Sequence, residues 1–194
     1  MNPLIDSLYA IIDVEMAERP LELTFQALNA GCAMVQLRAK RLDDVAFLNI
    51  AKRVRSACAH AEVPFVINDR ADIASLVRAD GLHLGQDDLS IEDARRVVRE
   101  MPIGVSTHNL EQAAKADTEG ADLIAFGPVF ETKTKEKPDP VVGLHILEEV
   151  CQTVSRPVIA IGGITPENAA ETLRTGARYI AVVSALPRFV AHVS

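Results

Sequence analysis

The chain has 194 residues, 48% of them hydrophobic and 24% charged, with a formal net charge of −7. That length suits one domain spanning residues 1–194 and burying roughly 70% of its unfolded surface, while the acidic balance argues against a general binder of nucleic acid or of anionic membranes. No apolar run approaches the ~18 residues of a membrane span and the amino terminus has no basic leader, so a cytoplasmic protein is expected.

Strand-like segments begin near Leu8, Ala33, Pro64, Gly81, Ile103, Leu123, Pro157 and Tyr179, and helical patterns fill nearly every gap between them. The first helix is predicted from Pro20 to Asn29 and the second from Leu42 to Ala61, with Phe47, Ala51, Val54, Cys58 and Ala61 on one face. Ser90, with Asp93 three residues later, opens a helix as a capping pair. Leu144, Leu147, Cys151 and Val154 form a one-sided stripe on the sixth helix. Thr165-Pro166-Glu167-Asn168 predicts a capped start to the seventh, and Gly176 its end. Only ten residues follow Ser184, so the eighth helix must be short. The apolar runs are continuous, as in parallel strands buried on both faces. Eight strand-helix units of this kind predict an α/β fold: a single closed (β/α)8 TIM barrel with a short C-terminal helix. The three cysteines, Cys32, Cys58 and Cys151, lack paired spacing and read as buried thiols, with neither disulfide framework nor zinc site.

In such a barrel the chemistry gathers where the strands end. Asp69 ends the third strand and Asp88 follows the fourth, so adjacent strand ends bring two carboxylates together, suited to Mg²⁺ shared with substrate phosphates. Each aspartate also precedes a helix, where capping would by itself explain it. Arg38 and Lys40 end the second strand, and Lys133 and Lys135 sit in a polar loop from Glu131 to Val142 that is too long for a simple barrel turn. Together these cations would offset a polyanion, and the loop, with Thr132, Thr134 and Lys135, reads as a closing lid. Ile161-Gly162-Gly163-Ile164 and Val183-Ser184-Ala185 lie where barrels commonly hold phosphate on backbone N–H groups. A tight turn would need the same glycines. Among the histidines, His83 reads as a satisfied core side chain, and His108 lies within reach of the pocket. No serine or cysteine has a base partner suited to acyl transfer.

Taken in order, Gln36-Leu37-Arg38-Ala39-Lys40, Ile67-Asn68-Asp69-Arg70, His83-Leu84-Gly85-Gln86-Asp87-Asp88, Gly104-Val105-Ser106-Thr107-His108, Thr132-Lys133-Thr134-Lys135 and Ile161-Gly162-Gly163-Ile164 give a chain that resembles the thiamine-phosphate synthase (thiamine-phosphate pyrophosphorylase) family over nearly its whole length. The resemblance implies a transferase of thiamine biosynthesis. It would join hydroxymethylpyrimidine diphosphate to hydroxyethylthiazole phosphate with Mg²⁺, releasing pyrophosphate through a dissociative pyrimidine-methyl cation. It also implies roles for particular residues. Asp69 and Asp88 would hold Mg²⁺; Arg38, Lys40, Asn68, Ser106 and Lys135 would face the diphosphate, with Arg38, Lys40, Ser106 and Lys135 the catalytic set. Gln36 would read the aminopyrimidine edge, and Thr132, Thr134, Gly163, Val183 and Ser184 would surround the thiazole phosphate.

The chain departs from the family pattern at Ala39, where an acidic or amide residue is common, and in its short C-terminal helix. The short end would expose a patch that Cys151 and Val154 help cover in a homodimer. Two other readings stay open: a thiazole tautomerase-like relative in which His108 matters more, and a non-catalytic thiazole phosphate binding protein. The intact Asp88 and Thr132-Lys133-Thr134-Lys135 favour the synthase.

Overall fold

The computed structural model describes residues 4–132 and 139–191. Among these, β1 (Leu8–Asp13) leads into α1 (Pro20–Ala30), β2 (Met34–Arg38) into α2 (Asp44–His60), β3 (Phe65–Asn68) into α3 (Ala71–Val77) and β4 (Gly81–Leu84) into α4 (Ile91–Val98). The alternation continues with β5 (Ile103–Thr107), α5 (Leu110–Thr118), β6 (Leu123–Phe126), α6 (Gly143–Thr153), β7 (Val158–Ile161), α7 (Ala169–Arg174), β8 (Tyr179–Val182) and α8 (Leu186–Val190). Every strand pairs in parallel with its sequence neighbours, and β1 closes the barrel against β8. No described helix is long and apolar enough to cross a membrane.

Alternation of side chains along the strands divides the apolar residues into two cores. Leu8, Ala10 and Ile12, with Val35, Leu37, Phe65 and Ile67, point outward and meet Phe47, Ala51 and Val54 from the helices. Tyr9, Ile11, Met34, Val66, Ala125, Ile159 and Ala181 point inward and fill the barrel. Each fully buried large side chain contributes about 1.5–3 kcal/mol, so the continuous apolar runs stabilise the strands on both faces. Register then sets where polarity begins. On β1 and β2, Tyr9 pairs with Met34, Ile11 with Gln36 and Asp13 with Arg38, so the interior turns from apolar to charged at the carboxyl-terminal mouth.

Local signals explain most helix starts. Asp43 caps α2, its carboxylate accepting from Ala46 N–H at 2.9 Å. Ser90 caps α4 as predicted, with Asp93 N–H donating to its Oγ at 3.1 Å. The seventh helix departs from expectation: Thr165 is not the cap, and α7 begins only at Ala169. The Asn168 carboxamide folds back, accepting from Thr165 N–H at 2.8 Å and donating to Gly163 O at 3.0 Å, so residues 165–168 form a turn that serves the mouth. Gly176, at φ +100°, terminates α7 as predicted. The eighth helix is short, five residues. Val154 is buried in the chain's own core and Cys151 packs partly against it. Burial pushes the Cys32 and Cys58 thiols up to about 12, which makes them inert core groups.

Candidate active site

A cavity of about 470 Å³ opens at the mouth, lined from all around the barrel. Of the predicted residues, Gln36, Arg38, Asn68, Ser106, Thr132, Gly163, Val183 and Ser184 line it. Lys40, Asp69 and Asp88 form a separate cluster beyond its lining. Thr134 and Lys135, and with them half of the predicted lid, residues 133–138, lie outside the described residues.

The β1 edge supplies three groups that sequence reasoning passed over. Buried Gln36 donates from Nε2 to the Tyr9 hydroxyl at 2.8 Å, which leaves its amide oxygen for a ligand. Asp13, shielded from solvent, pairs with the Arg38 guanidinium while its other oxygen accepts from Glu15 N–H at 3.1 Å. Glu15 in turn accepts from the Lys40 and Arg41 N–H groups, each at 2.9 Å. The Arg38-Ala39-Lys40 turn is therefore held by carboxylates of the β1–α1 loop. The signal for Asp13 was present: it is an aspartate at a strand end, the feature that singled out Asp69.

Asp69 and Asp88 meet and hydrogen-bond to each other, and Lys40 Nζ pairs with Asp69. Burial, together with the Asp88 carboxylate, pushes Asp69 up to about 6 against the pull of Lys40. Asp88 is held low: its own burial works the other way, outweighed by the hydrogen bonds from Asp69 and from Gly85 N–H at 2.7 Å. Of the two, Asp69 is the one whose pKa is raised. It also sits at φ +63°, a left-handed conformation uncommon for a non-glycine residue and frequent at functional sites. Among the described residues no three His, Cys, Asp or Glu side chains gather as a metal cluster. A two-carboxylate site of hard oxygens still fits Mg²⁺, which commonly takes its remaining ligands from phosphate and water.

His83 is not the satisfied core residue expected. It is buried, with Nε2 2.9 Å from Ser106 Oγ and no partner for Nδ1. The Ser106 carbonyl accepts from Gln86 Nε2 at 2.6 Å, so this residue is held at two points. His108 reaches the cavity, as anticipated. Its Nδ1–H donates to Gly127 O at 2.6 Å, and Nε2 stands 3.5 Å from an Asp139 oxygen.

At the β7 end, φ is +99° at Gly162 and +65° at Gly163. A Cβ on Gly163 would lie 2.4 Å from Glu131 O, so glycine is required both for the turn and for the close approach of the β6–α6 loop. The bonds formed here use carbonyls: Phe130 N–H donates to Gly162 O at 3.0 Å, and Asn168 to Gly163 O. Ser184 is exposed at the neighbouring β8 end.

A closed parallel barrel with cations, paired carboxylates and a glycine turn at its carboxyl-terminal mouth defines a barrel built for phosphorylated small molecules. The chain belongs to the thiamine monophosphate synthase family, whose model matches residues 8–186. It is 45% identical to the thiamine-phosphate synthase of Methanocella arvoryzae over 85% of this chain and 78% of that protein, and 44% identical to that of Persephonella marina over 93% and 87%. A solved thiamine phosphate pyrophosphorylase from Pyrococcus furiosus superposes with a TM-score of 0.86 at 33% identity, covering 98% of both chains. An N-acetylmannosamine-6-phosphate 2-epimerase from Clostridium perfringens, with a TM-score of 0.72 at 16% identity, shares the fold alone.

Proposed function

We propose that this chain joins hydroxymethylpyrimidine diphosphate to hydroxyethylthiazole phosphate, giving thiamine phosphate and pyrophosphate. The observation that carries this reading is the meeting of Asp69 and Asp88 beside Lys40 at the rim of a cavity large enough for two small substrates. A proton shared between carboxylates marks a place where a divalent cation stabilises both in their charged forms. Asp69 and Asp88 would hold Mg²⁺, which when bound neutralises charge on the diphosphate oxygens.

The carbon–oxygen bond to the pyrimidine methylene breaks and its electron pair leaves with pyrophosphate. The thiazole nitrogen lone pair then forms the new carbon–nitrogen bond. No proton is removed from that nitrogen, which agrees with a site rich in anion-binding groups. Arg38 and Lys40, joined by Asn68 and Ser106, act on the diphosphate, where charge grows as the bond breaks. Lys135 is assigned the same task from its place in the motif. Gln36, with its Nε2 committed to Tyr9, would offer Oε1 to the amino group of the pyrimidine. The Gly163 turn, Val183 and Ser184 with Thr132 and Thr134 would take the thiazole phosphate.

The direct test mixes protein, Mg²⁺ and both substrates and separates products by chromatography, with a chelated control. Metal-dependent thiamine phosphate is the expected result. Isomerisation of a thiazole carboxylate phosphate in its place would assign the tautomerase activity, with His108 as the proton-transfer group, and binding of thiazole phosphate without turnover would leave a binding protein.

A further inference from the structure

His83 and Ser106 form a polar contact inside the barrel that the reaction above leaves without a role for the histidine. On β4 and β5, His83 stands in register with Gly104, two residues before Ser106. A Cβ on Gly104 would lie 2.7 Å from His83 Nδ1, so glycine leaves the space that the ring occupies beside β5. The ring is buried where it borders the cavity, and its Nδ1 meets no polar partner. A neutral imidazole has one N–H and one lone pair. If the proton were on Nδ1, a buried N–H would have no acceptor, which costs about 1–3 kcal/mol, and Ser106 would spend its own proton on Nε2. With the proton on Nε2 the donor is satisfied, and only an acceptor lone pair goes unpaired, the less uncommon of the two defects.

We infer that His83 is a positioning residue: as the Nε2–H tautomer it donates to Ser106 Oγ and so turns the Ser106 hydroxyl proton into the cavity, toward the departing diphosphate. Identifying that ligand rests on the proposed function. The Ser106 main chain is fixed by Gln86, its oxygen by His83, and its remaining donor is the one group free to meet an anion.

The test has two parts. In the wild-type protein, ¹⁵N NMR of the imidazole reads the tautomer directly; a protonated Nε2 is expected, and a protonated Nδ1 overturns the inference whatever the variants do. A double-mutant cycle then follows magnesium pyrophosphate affinity by calorimetry together with single-turnover rate. His83→Leu is expected to weaken binding and slow turnover about fivefold to tenfold, the scale of one hydrogen bond. His83→Gln, which can place an amide N–H near the same oxygen, should recover most of the loss. In a Ser106→Ala background, His83→Leu should cost nothing further; an equal loss there would show a merely structural histidine. Coupled loss of pyrophosphate affinity in a protein that forms no thiamine phosphate would retain the positioning role and discard the reaction.

Discussion

Asp13 and Arg38 pair in register across β1 and β2, the carboxylate enclosed and the guanidinium reaching the cavity. The pair aims Arg38 and at the same time ties it to the β1–α1 loop. Asp13→Asn keeps the shape and removes the charge. We expect at least a tenfold fall in kcat/KM for the pyrimidine diphosphate, corresponding to about 1.4 kcal/mol. Steady-state kinetics with saturating thiazole phosphate measure it, and an unchanged value would show that Arg38 needs no anchor.

The carboxylate pair gives a second prediction. The folded pKa of Asp69 is raised, from 3.8 to about 6, so its contribution to stability is lost as pH rises through that interval in metal-free protein. Asp69→Asn should therefore melt higher than the wild type above pH 6 without metal, yet gain nothing from Mg²⁺ with pyrophosphate. Asp88→Asn should likewise weaken Mg²⁺ dependence and turnover. Full activity of either variant at limiting metal would remove that residue from the metal site.

His83 works in the opposite direction. Its folded pKa lies near 4 against 6.5 in the unfolded chain, so stability is lost as pH falls through that window, on the order of 3 kcal/mol in full. The Asp69 and His83 contributions offset each other in the wild type between pH 4 and 6. Denaturant titrations of wild type and His83→Gln across pH 4–7 isolate the histidine, and a pH-independent difference would count against a buried neutral ring.

Gly163→Ala tests the β7 turn. Its Cβ would press on Glu131 O in a backbone conformation that alanine adopts poorly. The variant should raise KM for thiazole phosphate more than for the pyrimidine diphosphate, whose proposed contacts lie across the mouth. Equal effects on both substrates would place the phosphate elsewhere.

Much of this was legible in the sequence. The apolar runs mark strands because a strand buried on both faces has no polar alternation, and five of the eight begin at the residue where the pattern begins, while β2, β3 and β7 begin one residue later. Ser90 and Gly176 act locally, so their effects are readable without a partner. Thr165 misled because Asn168 takes over the turn through a contact with Gly163 that no capping rule contains.

Chain order alone determined a barrel with charged strand ends, and the family motifs named the residues that gather there. Tertiary structure alone decided which of them touch. Tyr9 orients Gln36, Asp13 holds Arg38, and His83 meets Ser106 only because parallel register, fixed by burial of alternate side chains and by closure of β1 on β8, aligns residues distant in sequence. Propensity and periodicity act over a few residues; the hydrogen bonds and ion pairs that tune a site form between strands, and their partners become known only when the barrel closes.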